Sequence, residues 1–136
     1  MKILLDTSAY SDLARGHSPL TDWVRRAEAV LLSSVVAGEL LGGFRRGSRL
    51  SENVAGLQRF LTQPRVHLLP VTWTTAERYG RIYAALRRRG KPIPTNDMWI
   101  AAHAMETGAE LLSSDTHFQY VEGLAWTDPG KPPPTP

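Results

Sequence analysis

Ile3-Leu4-Leu5-Asp6-Thr7-Ser8 is a short apolar run that ends in an acid and passes at once into residues suited to a helix start. Consecutive large aliphatic residues without polar alternation mark a strand buried on both faces, as in a parallel sheet. The same pattern returns at Ala29-Val30-Leu31-Leu32-Ser33-Ser34 and at Leu111-Leu112-Ser113-Ser114-Asp115. Val66 to Val71 reads as a further strand. Between them lie helical stretches. Pro19 suits the first turn of a helix running toward Glu28. A helix holding Val35, Val36, Leu40, Leu41 and Phe44 follows the second strand, weakened near its end by Gly42-Gly43. Ser51 to Thr62 carries Val54, Leu57, Phe60 and Leu61 on one face, and Thr74 to Arg89 carries Tyr79, Ile82, Tyr83 and Leu86. Strands alternating with helices predict an α/β fold with a parallel sheet.

Four acids stand where this chain leaves a strand or enters a helix. Asp6 and Asp115 end strands, Glu39 lies a few residues into the helix after Ser33-Ser34, and Asp97 opens Asn96-Asp97-Met98-Trp99-Ile100-Ala101-Ala102. The carboxyl ends of parallel strands share one edge, and ligands bind there. Four carboxylates converging on that edge repel one another unless a cation sits between them. Each has a plainer role: Asp6 as a helix N-cap, Asp115 as a turn residue, Asp97 as a first-turn acid, Glu39 on a solvated face. Against the plain role for Asp97, Ile100, Ala101 and Ala104 follow at helical spacing, which sets it on the buried stripe, and Thr95 and Asn96 are available as caps. A partly buried Glu39 needs a cation to offset its charge.

The chain has 136 residues, of which 42% are hydrophobic, enough for one domain with one core. Cysteine is absent, which excludes a disulfide framework and cysteine-based zinc sites. The N-terminal apolar stretch is too short for a signal peptide, and no window reaches the ~20 apolar residues of a membrane span, so a cytoplasmic protein is expected. Net charge is +3, from 16 bases and 13 acids. Committing four acids to a site leaves nine against those 16, a basic surface around an acidic pocket. That is the charge pattern of a metal-dependent enzyme acting on a polyanion.

Arg87-Arg88-Arg89 with Lys91 ends the long helix just before Asp97, where Arg87 and Arg88 are placed to contact phosphate; the plainer reading is a solvated helix C-terminus. Arg45, Arg46 and Arg49 form a second cluster. His67 and His103 read as structural, whereas His117 lies close enough to Asp115 to touch substrate. Ser113 can bond a neighbouring carboxylate from behind the ligands. From Asp128 the apolar pattern ends and five of the ten prolines follow, so residues 1–127 read as the domain and 128–136 as an extended, disordered tail.

Together, Leu4-Leu5-Asp6-Thr7-Ser8, Ser33-Ser34-Val35-Val36-Ala37-Gly38-Glu39-Leu40, Asn96-Asp97-Met98-Trp99-Ile100-Ala101-Ala102-His103-Ala104 and Leu112-Ser113-Ser114-Asp115-Thr116-His117-Phe118 resemble a PIN-domain ribonuclease of the VapC type. The likeness covers the chain up to the proline tail, in the family's order; Ser113 stands where threonine is frequent, and keeps the hydroxyl. The resemblance implies a five-stranded parallel sheet flanked by α-helices, with Mg²⁺ or Mn²⁺ held by Asp6, Glu39, Asp97 and Asp115. Thr7, Asn96, Ser113 and His117 would lie around that centre. It further implies hydrolysis of RNA phosphodiesters, a homodimer, and a cognate antitoxin that blocks the site. Oxygen-only ligands agree with a hard divalent cation. Two other readings compete: a PIN-like module that binds RNA or protein without cutting, and a phosphotransferase using Asp6 as nucleophile. The second lacks a neighbouring acid or phosphate loop beside Asp6, and no glycine-rich turn supports a dinucleotide fold.

Overall fold

Strand β1 (Lys2–Leu5) occupies the middle of a five-stranded sheet because Ile3, Leu4 and Leu5 are fully buried and need cover on both faces. The computed structural model describes residues 1–134. After β1 come helices α1 (Thr7–Ala14) and α2 (Ser18–Arg26), then β2 (Ala29–Ser33), α3 (Ser34–Arg45), α4 (Leu50–Leu61) and β3 (Val66–Leu69). The chain then forms α5 (Trp73–Arg89), α6 (Thr95–Thr107), β4 (Glu110–Leu112), a 3₁₀ turn over Thr116–Tyr120, and β5 (Trp126–Thr127). Spatial order is β3-β2-β1-β4-β5, with every pairing parallel. The expected α/β class and five-stranded parallel sheet are therefore present.

The order contains a reversal that places the site. From β1 the chain steps outward through β2 to β3, then returns across the sheet to β4 on the other side of β1. Loops leaving β1 and β4 diverge there, opening a crevice at the carboxyl edge. In register, Leu5 faces Leu32 on one side and Leu112 on the other, so Asp6, Ser33 and Ser113 follow at one level of that edge. Exposing any of these aliphatic side chains forfeits about 1.5–3 kcal/mol of burial.

Local chemistry fixes the ends of the long helices. Thr72 and Thr75 form a reciprocal cap at the start of α5. Gly90 and Gly108 close α5 and α6 at φ +65° and +73°, a region that strains residues with a Cβ. No side chain caps α6, so the expectation that Thr95 or Asn96 does so is corrected: both lie within the helix, and Asn96 turns to the site instead. Strand β5, two residues long, left no trace in the sequence pattern.

The tail also differs from expectation over residues 128–134; Thr135 and Pro136 lie outside the described residues. Pro129 and Pro133 are buried, the Trp23 indole N–H donates to the Lys131 carbonyl at 2.8 Å, and Arg26 reaches the Pro134 carbonyl at 3.4 Å. The stretch therefore packs on α2 and is not disordered. Trp23 is almost wholly buried and its N–H needs an acceptor, which a chain segment without side-chain pattern can supply from its backbone.

Candidate metal centre

Asp6 follows the last residue of β1 and N-caps α1, its Oδ1 accepting from the Ala9 amide at 2.8 Å. The plain role and the site role thus fall on the same side chain. Its backbone N–H donates to the Leu112 carbonyl, tying the β1 exit to β4. Asp6 is 7% exposed, and burial pushes its carboxyl above the ordinary value of 3.8. The Ser113 hydroxyl and the Ala9 amide pull it down, while Asp97 and Asp115 push it further up.

Ser113 is fully buried at the end of β4, and its Oγ accepts from the Asp115 amide at 3.0 Å. One hydroxyl thereby links the two strand-end acids, as its position behind the ligands suggested. Glu39, half-buried on α3, accepts from Thr7 Oγ1 at 2.6 Å and from Asn96 Nδ2 at 3.3 Å. Two protein donors thus meet part of its charge. Thr7 and Asn96 stand in the pocket as expected, with the role of holding Glu39.

Asp97 sits in the first turn of α6. Burial raises its pKa, His117 lowers it, and the charges of Asp115 and Glu39 raise it again. His117 lies between two acids: Nε2 is 2.8 Å from Asp97 Oδ2 and Nδ1 is 3.1 Å from Asp115 Oδ1. Nε2 is nevertheless buried without an aligned hydrogen-bond partner. The close approach therefore lacks hydrogen-bond geometry, and hydrogen bonds weaken steeply off axis. One donor atom each from Asp97, Asp115 and His117 lie within 4.8 Å of one another. The sequence spacing suggested substrate contact for His117; the fold instead sets it among the acids.

All four acids line one open pocket of about 450 Å³, together with Thr7, Ser8, Pro94, Thr95 and Asn96. Ser8, Pro94 and Thr95 were not picked out from sequence, although each adjoins or nearly adjoins a site residue. Arg87 and Arg88 are not in its wall. Arg87 bonds the Tyr83 hydroxyl, and Arg88 lines a separate cleft with Met105 and Tyr120. Any phosphate contact they make therefore lies outside the wall that the four acids line.

His103 holds this edge from below. Pro70 O can only accept, so His103 Nε2 carries the proton donated to it at 3.0 Å. Nδ1 then accepts from Ser33 Oγ at 2.9 Å, and Ser33 Oγ in turn accepts from the Val35 amide at the start of α3. The structural role expected of His103 is what the fold gives it.

The donor set fits a hard divalent cation. Buried Asp6 and half-buried Asp97, both with raised pKa values, and Asp115, exposed at the rim, line a polar pocket, with an imidazole nitrogen lacking an aligned partner beside Asp97. Carboxylate oxygen with one imidazole suits Mg²⁺ or Mn²⁺ better than a soft metal.

The family model described as "PIN domain" matches residues 3–124. The chain is 32% identical to Ribonuclease VapC2 of Haemophilus influenzae, over 85% of this chain and 87% of that protein. It is also 32% identical to the tRNA(fMet)-specific endonuclease VapC of Shigella flexneri, over 71% and 73%. The solved structure of VapBC-1 from nontypeable Haemophilus influenzae superposes with a TM-score of 0.84 at 24% identity, over 96% of this chain and all of that one.

Proposed function

From the premise that this chain belongs to the PIN domain family, among the VapC ribonucleases, we propose that it is a divalent-metal-dependent endoribonuclease acting as the toxin of a toxin–antitoxin pair. The observation that carries the reading is the meeting of Asp6, Glu39, Asp97 and Asp115 in one pocket at the β1/β4 crevice. Mg²⁺, with Mn²⁺ as substitute, would be held by Asp6, Asp97 and Asp115 with Glu39 nearby, supplying Lewis acidity toward a phosphodiester and a water more easily deprotonated.

The chain's own residues do the rest. Asp6, fixed by the Ala9 amide, presents one oriented carboxylate from a rigid strand end. Thr7 and Asn96 hold both oxygens of Glu39, leaving it able to accept a proton from an attacking water through a lone pair facing the pocket. Ser113 keeps the Asp115 loop in place. The open pocket admits an extended strand, and the net positive charge draws a polyanion to it. A protein antitoxin and a homodimer complete the reading; the VapBC-1 likeness supports the antitoxin.

The test is cleavage of total cellular RNA by the purified protein with Mg²⁺ or Mn²⁺, with sequencing of the cut ends. EDTA should abolish cleavage and added metal restore it. Cleavage that survives EDTA, or none in any metal, overturns the proposal.

Among the described residues no helix is long and apolar enough to cross a membrane.

A further inference from the structure

Beside the acidic pocket, four planar groups stand in a row on α5 and α6. Tyr79 stacks on Trp99 at 4.0 Å and 20°, Tyr83 follows Tyr79 at 6.2 Å and 23°, and the Arg87 guanidinium lies 5.3 Å from the Tyr83 ring centre. Arg87 Nη1 also donates to the Tyr83 hydroxyl at 2.9 Å, which fixes its plane. The two helices run antiparallel, since Thr75 near the start of α5 bonds Glu106 near the end of α6. Moving from Tyr79 to Tyr83 to Arg87 therefore leads toward the N-terminus of α6, where Asn96 and Asp97 line the pocket.

The inner pair is ordinary packing: Tyr79 and Trp99 are half-buried and join the helices. The outer pair is not needed for that. Tyr83 is 41% exposed, though large apolar rings tend to be covered, and Arg87 spends its guanidinium on the ring and not on a carboxylate. Arg88, Arg89 and Lys91 follow at once, and no acid lies between Arg78 and Asp97. A second copy of this chain would have to bring an acidic surface to meet that row, which a basic protein supplies poorly. A single-stranded nucleic acid brings bases that stack on aromatic and guanidinium planes and phosphates that pair with the bases of the helix end.

We propose that Tyr83 and Arg87 form a stacking platform for an unpaired base of the RNA, outside the catalytic pocket. This rests on the ribonuclease reading and assigns contact with an unpaired base to the outer face of α5. A base inside a duplex already has both faces covered, so the platform cannot use it.

The experiment compares wild type, Tyr83→Ala, Tyr83→Phe and Arg87→Ala on a short fluorescein-labelled RNA of mixed sequence, single-stranded or annealed to its complement. Affinity is read in EDTA, and KM for the same RNA in Mg²⁺. Tyr83→Ala should weaken single-strand binding by at least about fivefold, with an unchanged salt slope and little effect on the duplex. Tyr83→Phe should keep most of the affinity, because the ring remains. Arg87→Ala should weaken single-strand binding and reduce the salt slope by about one counterion. Melting temperatures check that each variant is folded. Equal single-strand affinity for Tyr83→Ala and wild type overturns the platform while leaving the nuclease standing. A change of oligomeric state in Tyr83→Ala with RNA affinity unaltered overturns it in favour of a protein interface. Failure of wild type to bind or cut any of these RNAs removes the ribonuclease reading itself.

Discussion

His117 Nε2 approaches Asp97 Oδ2 to 2.8 Å without the alignment of a hydrogen bond, while the other ring nitrogen lies 3.1 Å from Asp115. A ring in that position links a helix-start acid to a strand-end acid that are eighteen positions apart in the chain. Asp97 is therefore the acid on which α6, the Asp115 loop and the pocket all converge. Replacing it with Asn keeps its shape and removes the charge. Asp97→Asn should abolish metal-dependent RNA cleavage with the circular dichroism spectrum unchanged. Activity within tenfold of wild type would remove Asp97 from the site.

The two roles of Asp6 can be separated. Asp6→Asn and Asp6→Ala both lose the charge, but Asn still caps α1 through the Ala9 amide whereas Ala does not. Both should lose cleavage. Denaturation in EDTA should place Asp6→Ala below Asp6→Asn by about 1 kcal/mol. Equal stability of the two would mean that the cap contributes nothing.

Stability of the metal-free protein should depend on pH through the same acids. Asp6 and Asp97 hold their protons more tightly folded than unfolded, chiefly through burial. The folded state thus binds more protons, and their ionisation penalty is fully present above the raised values. It is relieved as pH falls through them toward the ordinary 3.8. In EDTA the melting temperature should rise as pH drops from 7 over the upper part of that window. Asp97→Asn should flatten the rise, and Mn²⁺ should raise the pH 7 value most, by stabilising the folded state it binds. A melting temperature in EDTA that falls steadily from pH 7 downward would contradict this account.

Removing residues 129–136 should destabilise the domain. Trp23 would lose its acceptor on Lys131, and buried Pro129 and Pro133 would leave apolar surface in water. Trp23→Phe removes the hydrogen bond together with part of the buried ring, with an expected cost of about 1–3 kcal/mol. Unchanged melting of the truncated protein would show that the stretch contributes no stability.

Ser33→Ala should cost about 1–3 kcal/mol, because it uncaps α3 and leaves His103 Nδ1 buried without a donor. Glu39 rides on α3, so cleavage should fall with stability. Chemical denaturation and a single-turnover assay would show both effects. A variant as stable as wild type would mean that another donor replaces Ser33.

The helices, four of the five strands, the α/β class and the four acids were legible in the sequence because each rests on short-range pattern. Ile3-Leu4-Leu5 can only be a strand covered on both sides, and an acid at its end can only lie on the sheet's carboxyl edge. Other features were decided by the tertiary structure alone. Which groups hold Glu39 depended on Thr7 and Asn96 coming from two other helices. The place of His117 depended on how the 3₁₀ turn after β4 meets the start of α6. Arg87 and Arg88 stand close to Asp97 in sequence, yet the direction in which α5 presents them keeps both out of the pocket wall. The proline-rich stretch has no periodicity to read, and its packing rests on a backbone carbonyl that any residue would offer. Pattern records what a side chain does to its own segment. Which distant group it meets is set by how the segments pack, and no local pattern carries that.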